Sequence, residues 1–166
     1  MGGGAAKIFL DDERGGVFVF GPLLLIDWRH PASTAPVDAA DLAVEEAARF
    51  AGVGRRVAYV QRVSEKSQIG RATPEVRAAA LQHFERHDTK VFAAAIALEA
   101  TGFGASVIRS AAAGVLLLRP TPIQTRVFKN ASEGVRWLHG FDAGKDLDVD
   151  GALDAFAALG LVPLAT

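Results

Sequence analysis

The stretch that decides the fold is Lys90–Leu118, KVFAAAIALEATGFGASVIRSAAAGVLLL. It is the most apolar part of the chain, and between Lys90 and Arg119 only Glu99 and Arg109 carry charge. Two structures compete for it: a single membrane span, or a buried strand followed by a buried helix. Glu99 argues against the span, because a charge at bilayer depth costs about 2.5–3.5 kcal/mol on the insertion scale. Arg109 repeats that cost. Gly102 and Gly104 add roughly 1 kcal/mol each in an aqueous helix interior. The remaining segment, Thr101–Leu118, has only 18 residues and still holds Arg109. Val91–Leu98 therefore reads as a central strand buried on both faces, with alanines small enough to let a helix lie close. Thr101 caps a following helix, which is buried apart from a narrow polar stripe containing Arg109. Leu116 and Leu117 lie at that stripe and either mark a partner surface or are covered by another element of the domain.

Outward from this pair, the chain alternates short apolar runs with turn signals. Lys7–Leu10, Val17–Phe20 and Leu23–Trp28 read as strands. Too few residues separate them for crossover helices, so they pair antiparallel. Asp38–Phe50 reads as a helix capped by Asp38 and stopped by Gly52, with an alanine-lined core contact. Arg56–Val63 is the next strand. Thr73-Pro74-Glu75 opens a helix running to about His87, with a cap, a proline in the first turn and an acid beside it. Ile123–Phe128 alternates as a half-buried edge strand does. Asn130 and Glu133 have capping-box spacing ahead of a short helix carrying Val135, Trp137 and Leu138, which Gly140 stops. A polar linker leads to a last helix, Ala152–Leu159.

A length of 166 residues fits one domain with a sizeable core. Lys and Arg number 18 against 19 Asp and Glu, so no basic excess drives phosphate-backbone binding and nucleic acid is not an expected partner. With no cysteine, disulfides, thiolate catalysis and cysteine-ligated metals are excluded, in keeping with a cytoplasmic location. The opening MGGGAAK has no signal-peptide core, and Ala6 replaces the serine or threonine of a myristoylation signal. The expected organisation is a disordered N-terminus over 1–6, an α/β domain over 7–139, and an acidic linker with a C-terminal helix over 140–166.

Three patterns carry possible chemistry. Asp146, Asp148, Asp150 and Asp154, with Gly151, occupy the first ligand positions of a calcium loop. Ala157 stands where the bidentate glutamate belongs, so the preferred reading is a solvated acidic linker whose Asp150 caps the last helix. His83 and His87 are four apart on one helix, a spacing that suits a metal. Phe84 follows His83 where a zinc protease has glutamate, so a structural pair at the edge of the helix's apolar face is preferred. Ser64, Lys66, Ser67, Arg71 and Thr73 lie in or beside a polar loop leading into a helix N-terminus, a candidate anion or phosphorylation site for which an ordinary solvent loop is the preferred reading. No nucleophile–base–orienter set, nucleophile elbow or P-loop is readable, and no cofactor is expected.

Four phrases carry a family resemblance: FVFGPLLLIDWR (18–29), RVAYVQRV (56–63), TGFGASVIRSAAAGV (101–115) and VFKNASEGVRWL (127–138). Over Phe18–His139 the chain resembles the STAS or SpoIIAA-like domains of anti-sigma factor antagonists. The resemblance implies a single mixed sheet of five to six strands with helices packed on it, to which the C-terminal helix is an extension. It also implies a regulatory, non-enzymatic module that binds another protein. In antagonists of that family a serine at the start of the helix after a central strand is phosphorylated. The corresponding Ser64–Thr73 here lacks an aspartate–serine pair. The expected partner surface joins that loop to Arg109, Leu116 and Leu117, and the partner is another protein or a second copy of this chain. A small-molecule or lipid-binding domain is the alternative. An enzyme would need a polar cleft gathering Asp27, Arg29, His30 and Glu99 at the strand ends.

Overall fold

A computed structural model describes residues 4–29, 31–64, 72–99 and 123–163. Within them the chain is α/β, with one mixed six-stranded sheet in sequence order β1 to β6. Strands β1 (Lys7–Asp12), β2 (Gly15–Phe20) and β3 (Leu23–Trp28) form an antiparallel meander. From β3 onward every pairing is parallel, through β4 (Val57–Ser64), β5 (Val91–Glu99) and β6 (Gln124–Phe128). Helix α1 (Ala35–Ala51) connects β3 to β4, and α2 (Pro74–His87) connects β4 to β5. Helix α3 (Ala131–His139) follows β6, and α4 (Val149–Ala158) follows a 3-10 turn at Asp142–Gly144.

The decisive stretch resolves in favour of a strand over its first half: Val91–Leu98 is buried throughout. It is internal but not central, since β3 and β4 hold the middle of the sheet and only β6 lies outside β5. The expected helix Thr101–Leu118 lies outside the described residues. No helix among the described residues is long and apolar enough to cross a membrane.

Strand alternation sorts the core into two faces. Leu24, Ile26, Tyr59, Ala94 and Ile96 point to the face covered by α1 and α2. Leu23, Leu25, Ala58, Val60, Ala93, Ala95 and Ala97 point to the other, where Val135, Leu138, Ala152 and Phe156 of α3 and α4 cover them. Helix α1 meets its face through Ala40, Ala43, Ala47 and Ala51, as an alanine-lined contact should. It begins earlier than its sequence signals imply, at Ala35 with Pro36 in the first turn. Asp38 is therefore a first-turn acid and not the cap, and Gly52 ends the helix at φ 85°. Thr73 caps α2 by accepting from the Val76 N–H, and Asn130 caps α3 by accepting from Glu133 N–H. The last helix also begins earlier than expected, and its cap is Asp148, which accepts from the Gly151 N–H at 2.9 Å, leaving Asp150 in the first turn.

Candidate functional site

The apolar columns on the α3/α4 face end in charge. Leu23 and Leu25 lead to Asp27, Ala58 and Val60 to Arg62, and Ala93, Ala95 and Ala97 to Glu99. Parallel register sets Asp27 opposite Arg62, and Ser64 opposite Glu99. Three strand ends thus place two acids and a guanidinium side by side at the carboxyl edge of the sheet, where open α/β folds hold their ligands.

Arg62 bridges the acids. Its Nη1 donates to Asp27 Oδ1 at 2.9 Å, and its Nε donates to Glu99 Oε2 at 2.8 Å. Asp27, with its side chain only 5% exposed, also accepts from Arg29 Nε at 3.0 Å. Arg29 continues outward to Asp11 Oδ1 at 2.8 Å and to the Asp12 carbonyl at 2.5 Å. The second oxygen of Glu99 accepts from the Ala131 N–H at the start of α3, at 3.4 Å. Burial opposes the charge on Arg62, but Asp27 and Glu99 outweigh it and hold the guanidinium above its ordinary range. The strand ends therefore gather Asp27, Arg29 and Glu99, three of the four groups an enzyme reading requires, around an arginine that the sequence did not single out. Its signal was present: Arg62 ends an alternating strand in the same phase as Asp27 and Glu99. His30 lies outside the described residues. Because each carboxylate is already tied to a guanidinium, the arrangement suits locking three strand ends in register.

Among the loop candidates, Ser64 is the half-buried last residue of β4, and the Thr73 hydroxyl is committed to its helix cap. Lys66, Ser67, Arg71, Arg109, Leu116 and Leu117 lie outside the described residues. The four aspartates of the calcium-loop pattern are not turned to one point. Asp146 pairs with Arg55, Asp148 caps α4, and Asp150 and Asp154 belong to that helix. The helix starts at Val149, where a calcium loop would still be extended. A shallow cleft of about 440 Å³ opens beside these residues, lined by Arg136, His139, Leu147, Asp148, Val149 and Asp150.

The histidine pair sits deeper than expected. His83 and His87 are buried between α1, α2 and the sheet, and both reach Asp41 Oδ1, at 2.7 and 2.8 Å. The other nitrogen of His83 meets the buried Tyr59 hydroxyl at 2.9 Å. Arg86 takes the second oxygen of Asp41. Burial lowers the His83 imidazole below its usual pKa, although Asp41 pulls the other way. Burial would raise the Asp41 carboxyl, but its bonds to His83, His87 and Arg86 prevail and hold it low.

The outward side of α1 carries a different feature. Leu42 and Phe50 are 68% and 63% exposed, and Val53, just past the helix, is fully exposed. On a 3.6-residue helix, positions 42 and 50 fall on the same side. Glu46 and Arg49 lie between them and pair with each other at 2.9 Å. Comparison of the chain with protein-family models, with curated proteins and with solved structures finds no match to any of them.

Proposed function

We propose that this chain is a non-enzymatic regulatory module that binds another protein, a second copy of itself included, in the manner the resemblance to STAS or SpoIIAA-like domains implies. The observation that carries this reading is the outer stripe of α1. Its inner side is saturated with alanines against the sheet, so Leu42, Phe50 and Val53 are not needed for that contact. Large apolar side chains exposed along one helix and interspersed with charge, here the Glu46–Arg49 pair, are the feature that marks a protein-binding face. The interlocked strand ends support the same reading, since they suit a rigid platform better than a reacting centre.

The test is a Leu42→Ser/Phe50→Ser double variant. Exposed positions tolerate substitution within about 0.5 kcal/mol each, so the fold should survive with unchanged circular dichroism. Self-association by sedimentation velocity, or capture of a cellular partner by the purified chain, should be lost. If both are the same as for the parent chain, this surface is not the binding face. Among the described residues, the alternative of a small-molecule site is favoured by the cleft between Arg136 and Asp150. Native mass spectrometry of the purified chain, showing a bound mass that an Arg136→Ala variant loses, would decide for it.

A further inference from the structure

The Asp41–His83–His87 cluster plays no part in that surface and stands on separate observations. Two imidazole nitrogens, from neighbouring turns of α2, meet one carboxylate oxygen from α1. The three donor atoms lie within 4.8 Å of one another. We propose that they bind a divalent first-row transition-metal ion, with zinc as the expected occupant.

The donor set fixes the class of ion. Two imidazoles and one carboxylate suit zinc and its neighbours, whereas magnesium and calcium prefer oxygen throughout. The geometry is close to what ligation needs. Zinc–nitrogen and zinc–oxygen bonds of about 2.0–2.1 Å in a tetrahedron set ligand atoms about 3.3 Å apart. The present contacts of 2.7 and 2.8 Å must therefore open by about half an ångström, while the widest separation in the set, up to 4.8 Å, must close to about 3.3 Å. As it stands, both facing nitrogens must carry protons to donate to Asp41. When an ion replaces the proton on His83 Nδ1, the ring's proton moves to Nε2 and is donated to the Tyr59 oxygen. That arrangement resembles the support given to metal-bound histidines elsewhere.

His87 is less firmly held than His83. The ring is buried, yet its Nδ1, on the side away from Asp41, has no hydrogen-bond partner among the described residues. With an ion on Nε2 that nitrogen carries the ring proton and needs a water as its acceptor. The Asp41 side chain, 27% exposed, provides the route in from solvent. Arg86 is the opposing charge. It is more than half exposed and can swing away from Asp41.

The experiment uses the full chain, free of any histidine tag, stripped with EDTA and titrated with zinc chloride by calorimetry, with magnesium chloride as the control. One zinc per chain is expected, with a rise in melting temperature that magnesium does not reproduce. His87→Gln and Asp41→Asn should each weaken zinc binding by at least about tenfold, since each removes one of three protein ligands. Arg86→Gln should tighten it roughly fifteenfold, the repulsion between a unit charge and a divalent ion about 5 Å away in water. No saturable zinc binding, or an affinity that neither ligand variant changes, overturns the proposal. If a ligand variant does not fold, Arg86→Gln decides alone: equal or weaker affinity counts against the site.

Discussion

Arg62 shows how much one side chain holds in this fold. It sits between Asp27, which is almost fully buried, and the partly exposed Glu99. Removing the guanidinium leaves a buried carboxylate with Arg29 as its remaining partner. Arg62→Met should therefore destabilise the chain by about 3 kcal/mol, the low end for a broken buried pair because Arg62 itself reaches solvent. Urea unfolding measures it. Asp27→Leu combined with Arg62→Met removes both charges and should recover much of the loss, because no unpaired ion is left buried. A single variant within 0.5 kcal/mol of the parent would mean that water already screens the pair. This network was only half visible in the sequence. Asp27, Arg29 and Glu99 were recognisable as groups at strand ends, but Arg62 joins them through parallel register. That register sets Asp27 and Arg62 opposite each other across 35 residues. The histidine cluster was opaque for the same reason: the spacing of His83 and His87 is local, but Asp41 lies 42 residues before His83.

At the scale of elements, α3 lies close against β5. A Cβ added at Gly134 would sit 2.8 Å from the Ala95 Cβ. In an open helix, Gly to Ala gains about 1 kcal/mol. Here overpacking, typically 1–3 kcal/mol, should exceed that gain. Gly134→Ala is expected to lower stability by about 1 kcal/mol. Adding Ala95→Gly should restore part of it, a coupling that a double-mutant cycle by thermal unfolding reads directly. If Gly134→Ala stabilises the chain, α3 can ride up off the strand and the contact is not tight. The alanine run made this contact foreseeable, because a buried strand of small side chains invites a near helix. Helix starts were less legible. Asp148 and Asp150 are both competent caps two residues apart, and the choice falls to Asp148 because its carboxylate reaches the Gly151 N–H. For α1, Pro36 sits inside the first turn, ahead of the Asp38 from which the sequence signals start the helix, and proline's fixed φ suits that place.

For the whole molecule, the important question is what covers the second face of the sheet. The C-terminal segment looked like an acidic extension because five aspartates cluster between Asp142 and Asp154. Apolar residues are nevertheless the majority of the segment, and several are spaced to land on the sheet side. Leu147, Ala152, Phe156, Leu161 and Val162 are all buried, in one cluster with Phe18, Leu25, Val60 and Ala95. The aspartates between them face outward or cap, so a polar segment and a core segment are the same residues in alternation. The segment therefore contributes to the core on this face of the sheet. Phe156, fully buried, should cost about 3–5 kcal/mol on truncation to alanine. A chain ending after Gly140 loses all five residues at once. That loss is comparable with the whole stability of a domain of this size, about 5–15 kcal/mol. The shortened chain should therefore bind a hydrophobic dye and melt without a cooperative transition, while Phe156→Ala still unfolds cooperatively at a lower temperature. A shortened chain that melts cooperatively near the parent temperature would show that α3 alone closes this face.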